Sequence, residues 1–232
     1  MDIQVRNLTK KYKTGDREQT ILRSMSFDVK SGEICTIYGP SGSGKSTLLN
    51  LVGGLEKADG GSIKVGDQVI TDLKGKELGE YRRRQLGFIF QFYNLIPDLT
   101  VRENIEMGSY ISDDPLDEGE IIDALGMREN IDKFPAHISG GEQQRTAIGR
   151  AMIKNPDILL CDEPTGALDY STSKEILALM EDINRKYKTT ILMVTHNEAI
   201  KNMSDRIIRL HDGTITENIV NENKMAAQDV DW

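Results

Sequence analysis

The feature that most constrains this sequence is a glycine-rich turn at residues 39–47, which lies between an apolar run and a helical pattern. The turn reads Gly-Pro-Ser-Gly-Ser-Gly-Lys-Ser-Thr and fits the pattern G-x-x-x-x-G-K-[ST]. Glycines permit backbone conformations in which successive N–H groups point at one anion, and a helix that starts at the turn adds the positive end of its dipole. The sequence therefore predicts a strand–loop–helix unit that binds the phosphates of a nucleotide.

Each residue type in this turn has an expected task. The lysine supplies a full charge to the β- and γ-phosphates, and the serine that follows it supplies a hydroxyl to Mg²⁺. A glycine- and serine-rich turn that binds nothing is the alternative, and the complete pattern between a strand and a helix disfavours it. The residues predicted to bind the nucleotide here are Gly39, Ser41, Gly42, Ser43, Gly44, Lys45, Ser46 and Thr47.

Composition narrows the class of protein. The chain has 232 residues and a net charge of −8, so it lacks the positive field of a general nucleic-acid binder and no nucleic-acid partner is expected. Cys35 and Cys161 lie in apolar runs, which predicts buried thiols in a reducing compartment. Asp2 argues against a secretory signal, and no apolar run approaches the length of about 20 residues that a membrane span needs. We expect a soluble, cytosolic protein.

Polar residues follow three further apolar runs, at the point where each predicted strand ends. These residues are Gln91, the pair Asp162-Glu163, and His196. Because α/β sheets place ligand groups at the carboxyl ends of their strands, we expect a common site. Asp162 would hold Mg²⁺, Glu163 would orient and deprotonate a water, and His196 would contact a γ-phosphate or that water. Gln91 could face a metal or water. The simpler alternatives are that Gln91 is an ordinary loop residue and that His196 has a structural role.

The N-terminal part is predicted to be a small antiparallel sheet. Residues 2–30 alternate apolar and polar around a polar turn at residues 14–19. Tyr12 precedes this turn in a lysine-rich cluster. The residue types leave two interpretations open: an aromatic platform for an adenine ring, or an edge-strand tyrosine on a solvated face.

The stretch at residues 92–150 is predicted to be a helical insertion between core strands. Within it, Ser139-Gly140-Gly141-Glu142 opens a helix and fits the S-x-x-E capping box. Two glycines at a helix start would also suit a second anion site built from backbone N–H groups, and both interpretations can hold. Before the insertion, the arginines at residues 82–84 indicate a solvated helix face, with an anionic membrane or an acidic partner as the alternative. Residues 221–232 are predicted to be a polar, flexible tail.

Taken together, these motifs resemble those of the ATP-binding-cassette (ABC) ATPases, over about residues 2–220. The carrying segments are the Walker A loop at 39–47, Gln91 as the Q-loop glutamine, the signature at 138–142, the Walker B strand at 158–162 with Glu163, the D-loop at 167–169 and His196 as the switch histidine. Segments 90–95, 99–104, 141–145 and 194–197 resemble the MacB/LolD/FtsE-like branch. Ile138 in place of leucine, Cys161 in place of a small aliphatic, and a short helical stretch at 107–135 depart from the family pattern.

The resemblance implies a fold and a set of roles. The fold would be an α/β P-loop core with a mixed sheet, an N-terminal antiparallel β subdomain and an inserted helical subdomain. Tyr12 would stack on adenine, and Gln91 would contact the metal and pass motion to a membrane subunit. ATP would lie between two copies of the chain. The residues that would then contact it from the second copy are Ser139, Gly140, Gly141, Glu142 and Asp169.

The resemblance also implies partners. Two chains would form a homodimer around two Mg-ATP and drive an FtsX/MacB-like permease from the cytoplasmic face of the membrane. The expected process is export or removal of antimicrobial peptides or other amphipathic substrates. In the alternative, the same ATPase transmits force to a membrane protein that regulates a cell-wall enzyme, without transport. A DNA-repair ATPase and a P-loop kinase fit the charge and the motif set less well.

Overall fold

The computed structural model describes residues 1–15 and 17–231. Asp16, in the predicted turn, and Trp232, at the end of the predicted tail, lie outside the described residues. The strands are β1 (Ile3–Thr14), β2 (Arg17–Val29), β3 (Ile34–Tyr38), β4 (Gly60–Val65), β5 (Gln68–Val69), β6 (Leu86–Ile89), β7 (Ile158–Asp162), β8 (Thr190–Thr195), β9 (Arg206–His211) and β10 (Thr214–Val220). The helices are α1 (Lys45–Val52), α2 (Lys76–Arg84), α3 (Val101–Ser109), α4 (Glu118–Leu125), α5 (Gly140–Met152) and α6 (Tyr170–Tyr187). Short 3₁₀ helices occupy Ile70–Asp72, Arg128–Asn130, Pro135–His137, Glu198–Met203 and Ala227–Asp229.

The N-terminal sheet has the strand order β2-β1-β4-β5, and its neighbours pair antiparallel. Its inward side chains, such as Ile3, Val5 and Phe27, are buried, as the alternation predicts. They pack in one core with α1 and one face of the second sheet. The predicted antiparallel β subdomain is therefore confirmed.

The second sheet has the order β10-β9-β3-β8-β7-β6, with β10 antiparallel to its neighbour and the other pairs parallel. The apolar side chains of β3, β7 and β8 are buried, as expected of parallel strands covered on both faces. The register places Tyr38 beside Thr195 and Asp162 beside Val194, so these strands end at one edge. The predicted α/β fold with a mixed sheet and flanking helices is confirmed.

The helices α3, α4 and most of α5 lie in the stretch predicted as a helical insertion, residues 92–150. Glycines let these helices approach closely. A Cβ on Gly108 would lie 2.4 Å from the carbonyl oxygen of Arg150, and a Cβ on Gly149 would lie 2.5 Å from Leu125. Across residues 1–15 and 17–231, no helix combines the length and apolar character needed to cross a membrane.

The arginine run at the end of α2 has partners within the chain. Arg82 donates to the carbonyl oxygen of Gly54 at 2.8 Å, and Arg83 donates to Asp113 at 2.8 Å. Arg84 forms an ion pair with Glu80 at 3.1 Å. These arginines therefore connect α2 to the neighbouring loops as well as presenting a charged face.

The segment after residue 221 differs from the predicted flexible tail. Ala227 and Val230 have no exposed surface and belong to the core that covers α6. Nearby, the backbone N–H of Ala227 donates to Glu181 at 3.2 Å, and Tyr170 donates to Asp231 at 2.6 Å. Ala227 and Val230 are small apolar residues in a polar segment, so the sequence gives only a weak signal that they are buried. Their burial depends on the apolar surface of α6 against which they pack.

This packing makes a prediction about stability. Val230→Ala removes two buried methyl groups and should lower the free energy of unfolding by about 1–2 kcal/mol, measured by urea denaturation. Met225, in the same segment, is 40% exposed. Met225→Ala should therefore change the free energy by less than about 0.5 kcal/mol. Equal small effects of both substitutions would contradict the packing of this segment on α6.

Candidate functional site

A cleft of about 520 Å³ opens at the carboxyl edge of the parallel strands. It brings together residues that are distant in sequence: the glycine-rich turn, the tip of the N-terminal sheet and the ends of β6, β7 and β8. The lining residues are Tyr12, Ile21, Ser41, Gly42, Gly44, Lys45, Ser46, Thr47, Gln91, Asp162, Glu163 and His196. Most of the residues predicted for one nucleotide site therefore surround one cleft.

The glycine-rich turn is held by close backbone contact and by left-handed conformations. A Cβ on Gly39 would lie 2.0 Å from the carbonyl oxygen of Leu210, so only glycine fits beneath the turn. Gly44 has φ = 102° and is the N-cap of α1, the helix that begins at Lys45. Ser43 is buried behind the turn, where its backbone oxygen accepts from Gly213 at 3.2 Å. The positive end of α1 thus faces the cleft.

Lys45 places a cation inside this turn. Its Nζ donates to the carbonyl oxygens of Gly39 at 2.9 Å and Pro40 at 3.1 Å. The residue is 7% exposed, and burial lowers the pKa of the ammonium group, while Glu163 and Asp162 act to raise it. This largely desolvated charge is suited to an anionic ligand in the cleft.

Asp162 and Ser46 meet across the cleft. Ser46 Oγ donates to Asp162 Oδ1 at 3.0 Å. Burial raises the pKa of Asp162, a hydrogen bond from Ser46 lowers it, and the neighbouring Glu163 raises it further. A hydroxyl and a carboxylate side by side fit Mg²⁺, which usually takes one or two protein ligands and completes its shell with waters and phosphates. In the part of the chain that the structure describes, no cluster of three or more His, Cys, Asp or Glu residues forms a separate metal cage.

Glu163 and Asp162 contact different groups. β7 ends at Asp162, and Glu163 adopts a left-handed conformation with φ = 48°. Its backbone N–H donates to the carbonyl oxygen of Val194 at 3.0 Å, and its Oε2 lies 2.9 Å from His196 Nδ1. The structure therefore pairs a carboxylate with an imidazole at the ends of adjacent strands.

Gln91 follows β6 and lines the same cleft. A Cβ on Gly166 would lie 3.1 Å from Gln91 Nε2, so the amide lies against the loop that follows Glu163. Its predicted roles toward the metal and the membrane subunit stay predictions.

Tyr12 lies at the mouth of the cleft and is 38% exposed. Its hydroxyl donates to Glu56, and the Nζ of Lys10 is 5.0 Å from the centre of its ring. Of the two interpretations that the sequence left open, this position favours the aromatic platform. Stacking on adenine itself stays a prediction.

The predicted signature lies outside this cleft. Ser139 caps α5 and accepts from the backbone N–H of Glu142 at 3.3 Å, while the Glu142 carboxylate accepts from the backbone N–H of Ser139 at 2.7 Å. The capping box is therefore present. A Cβ on Gly141 would lie 2.4 Å from Thr172 Cγ2, so the packing of α5 on α6 also requires a glycine there. Gly140 packs near Tyr93, since a Cβ on it would lie 3.0 Å from the Tyr93 hydroxyl.

Asp169 is near the signature rather than the cleft. It caps α6 by accepting from the backbone N–H of Thr172 at 3.0 Å and from its hydroxyl at 2.7 Å. These hydrogen bonds lower the pKa of Asp169. The starts of α5 and α6 thus meet at Thr172, and the predicted anion-binding glycines and the predicted D-loop form one surface.

Several residues with a place in this architecture were not predicted. Ile21 lines the cleft from β2. Gln144 has no exposed surface and donates to the carbonyl oxygen of Pro164 at 2.8 Å, which connects α5 to the loop after Glu163. Arg150 donates to the carbonyl oxygens of Tyr93 at 2.9 Å and Asn94 at 2.6 Å. A polar residue on the otherwise apolar face of the predicted α5 helix was the one signal that could have identified Gln144.

Comparisons with known proteins agree with this geometry. The profile of the ABC transporter family matches residues 22–166. The lipoprotein-releasing system ATP-binding protein LolD of Alcanivorax borkumensis is 40% identical over 218 residues, covering 92% of this chain and 96% of the relative. The bacitracin export ATP-binding protein BceA of Halalkalibacterium halodurans is 41% identical over 218 residues, covering 92% of this chain and 86% of the relative.

A solved structure also matches closely. It is a dimeric post-hydrolysis state of the ATP-binding cassette MJ0796 bound to ADP and Pi, with a TM-score of 0.85 and 36% identity. The match covers 95% of this chain and 99% of that one. By contrast, the chain spans 50% of the length of the first curated relatives, from Mycoplasma pneumoniae and Mycoplasma genitalium, which are 38% identical to it.

The cleft, the mixed sheet, the matching profile and these similarities lead to one conclusion. The chain belongs to the ABC transporter family, as an ATP-binding cassette of the ATPase class.

Proposed function

We propose that this chain binds Mg-ATP in the cleft and hydrolyses it as one half of a homodimer coupled to a membrane permease. One observation carries the proposal. One cleft is surrounded by the glycine-rich turn at residues 39–47, called the phosphate-binding turn from here on, and by Asp162, Glu163 and His196. The start of α5 lies on a separate surface. A second copy of the chain can then supply that surface to complete the site.

The chain's own residues have distinct tasks in this proposal. Lys45 and the backbone N–H groups at the start of α1 bind the phosphates, and Tyr12 receives the adenine base. Ser46, Asp162 and Gln91 would hold Mg²⁺, and the ion would supply positive charge to the β- and γ-phosphates. Glu163 orients a water and accepts its proton, and His196, at 2.9 Å from the Glu163 carboxylate, fixes the direction of that carboxylate.

The two-fold dimer is supported by the solved ATP-binding cassette, which is dimeric and bound to ADP and Pi. In such a pair, the helix start at Ser139, Gly140 and Gly141 would face the γ-phosphate held by the other copy, with Glu142 completing the capping box and Asp169 beside it. A ligand that binds the closed pair better than the open one holds the pair closed. Loss of the γ-phosphate would then release it.

We further propose that the partner is an FtsX/MacB-like permease and that the chain lies on the cytoplasmic face of the membrane as a peripheral subunit. The names of the relatives support substrates with apolar parts, since one belongs to bacitracin export and the other to lipoprotein release. Phe92 and Tyr110, which are 74% and 79% exposed, offer aromatic surface on the helical side for such a partner. Antimicrobial peptides or other amphipathic molecules are the proposed substrates.

The role of Glu163 predicts the behaviour of Glu163→Gln. Loss of the general base should lower ATP turnover by about 10²–10⁴-fold. ATP binding should remain, so the variant should accumulate as a dimer with Mg-ATP, measured by gel filtration beside a phosphate-release assay. Lys45→Ala is the matched variant, because it removes the phosphate ligand instead of the base. It should lose nucleotide binding in a titration and remain monomeric. Normal turnover in Glu163→Gln would refute the assignment.

The buried position of Asp162 predicts a pH-dependent difference in stability. Burial raises the pKa of Asp162, so its ionised form destabilises the nucleotide-free fold above the ordinary carboxyl pKa. Asp162→Asn is neutral and can still accept from Ser46, so it should melt at a higher temperature than the unsubstituted protein at pH 8, without nucleotide or Mg²⁺. The difference should vanish as the pH falls below the ordinary carboxyl pKa, where both forms are neutral.

The same variant should show the cost of removing the charge. Asp162→Asn should lose Mg²⁺-dependent ATP hydrolysis while it gains thermal stability. A lower melting temperature at pH 8, in a variant that refolds normally, would mean that the carboxylate stabilises the empty site and would contradict this account.

The coupling to transport has its own test. The chain should co-purify with an FtsX/MacB-like membrane protein, and bacitracin or a related peptide should raise ATP turnover of that complex in detergent or lipid. Co-purification with peptide-independent turnover would instead favour force transmission to a cell-wall enzyme. Turnover without any membrane partner in the purified complex would contradict the proposed permease.

A further inference from the structure

The tip of the N-terminal sheet holds Tyr12 in an exposed place. Pairing between β1 and β4 ends where Thr9 meets Gly60, so beyond that point β1 pairs only with β2. A two-stranded ribbon is marginally stable by itself in water. The ring of Tyr12 therefore needs a further contact if it is to keep one position at the mouth of the cleft.

Glu56 supplies such a contact, beside Thr47 of α1, which also hydrogen-bonds to the Tyr12 hydroxyl. Its carboxylate accepts from the Tyr12 hydroxyl through one oxygen and from Asn50 Nδ2 at 3.1 Å through the other. Asn50 belongs to α1, the helix that begins at Lys45 in the phosphate-binding turn. The carboxylate thus connects the aromatic ring directly to the helix that faces the phosphates.

Lys10 completes the cluster around Glu56. Its Nζ lies 3.6 Å from the Glu56 carboxylate and 5.0 Å from the centre of the Tyr12 ring, and it donates to the carbonyl oxygen of Lys57 at 2.7 Å. The side chains of Lys10 and Glu56 are 12% and 26% exposed, so the pair is partly shielded from water. Burial acts to raise the pKa of Glu56, but hydrogen bonds from Tyr12 and Asn50 and the charge of Lys10 lower it.

We propose that Glu56 is a positioning residue that holds the Tyr12 ring over the cleft, so that the ring is in place to stack on the adenine base before ATP arrives. The inference rests on the proposed function, because it assigns Glu56 to the base end of the same nucleotide site. A ring held in its bound position loses less conformational freedom on binding, which increases affinity for the base. Glu56 acts through Tyr12 and lies outside the residues that line the cleft.

Two ligands separate a role at the base from a role at the phosphates. Mg-ATP contacts both ends of the cleft, whereas Mg-tripolyphosphate has no base and depends only on the phosphate-binding turn. Calorimetric titration of the full chain with each ligand therefore reports the two ends separately. Thermal melting of every variant confirms that it is folded before titration.

The expected result concerns four variants. Glu56→Ala removes the hydrogen bond to Tyr12, and Tyr12→Phe removes that bond together with the one to Thr47. Each should raise the Kd for ATP by about three- to tenfold, the range for the loss of one hydrogen bond of ordinary net strength. The double variant should bind no more than about twofold more weakly than Tyr12→Phe, because Tyr12→Phe already removes the interaction with Glu56. Glu56→Gln keeps an acceptor for the Tyr12 hydroxyl and should bind ATP within about twofold of the unsubstituted chain.

Glu18 offers a matched control in the same hairpin. It pairs with Lys11 at 2.7 Å instead of with Tyr12. Glu18→Ala removes a carboxylate and an ion pair from the ribbon, so it tests whether any loss of charge there weakens ATP binding. Its Kd for ATP should stay within about twofold, as expected for an exposed ion pair. In all variants the Kd for tripolyphosphate should stay within the same range.

Three outcomes would overturn the inference. If folded Glu56→Ala and Tyr12→Phe bind ATP as the unsubstituted chain does, Glu56 does not position the ring. If tripolyphosphate binding falls as much as ATP binding, Glu56 supports the phosphate-binding turn through Asn50 instead. If the unsubstituted chain binds neither ligand, the proposed function itself fails. This result differs from one in which the unsubstituted chain binds both ligands and the substitutions at Glu56 have no effect.

Discussion

Parallel pairing of β3, β7 and β8 is the constraint on which the whole site depends. Their register brings the glycine-rich turn, Asp162 and the end of β8 to one edge of the sheet. Side chains of these strands alternate between two separate cores, one on each face of the sheet. A slip by one residue would exchange the side chains that fit each core, and this fixes the register. The geometry of the polar residues is thus a consequence of how the apolar residues pack.

Within this frame, the charged groups are placed where a ligand must compensate them. Lys45 is desolvated in its turn and Asp162 is partly buried, and burial shifts the pKa of each toward the neutral form. An unpaired charge in such a place destabilises a fold. Proteins tolerate such unfavourable energies at functional sites. The left-handed backbone of Glu163 is a second unfavourable contribution, of about 1–2 kcal/mol. Its backbone hydrogen bond to Val194 and its contact with His196 hold that conformation.

The second surface, at the starts of α5 and α6, depends on close packing. Gly141 is buried, and a glycine is needed there because Thr172 packs against it. The capping box of Ser139 and Glu142 stabilises the start of α5 in the single chain. The capping box and the packing therefore account for these residues in the single chain, and their contact with a nucleotide held by a second copy stays a proposal.

The sequence by itself determined the elements whose signal is local. The glycine pattern around Lys45, the apolar runs and the polar residues that end them predicted the phosphate-binding turn, the strands and the edge at which they meet. It also predicted the capping box at Ser139, because capping depends on residues three apart in one helix.

Only the tertiary structure decided the features that depend on distant contacts. The residue types left Tyr12 open between a solvated edge residue and an aromatic platform, and only the fold places its ring at the mouth of the cleft, with its hydroxyl bonded to Glu56. The segment with Ala227 and Val230 looked flexible, since its composition is polar and its burial comes from the surface of α6. Glu163 turns away from Asp162 through a positive φ that no pattern announced, because the hydrogen bond that supports it comes from the neighbouring strand. Local patterns report what a segment prefers, whereas these three outcomes depend on what the fold places beside it.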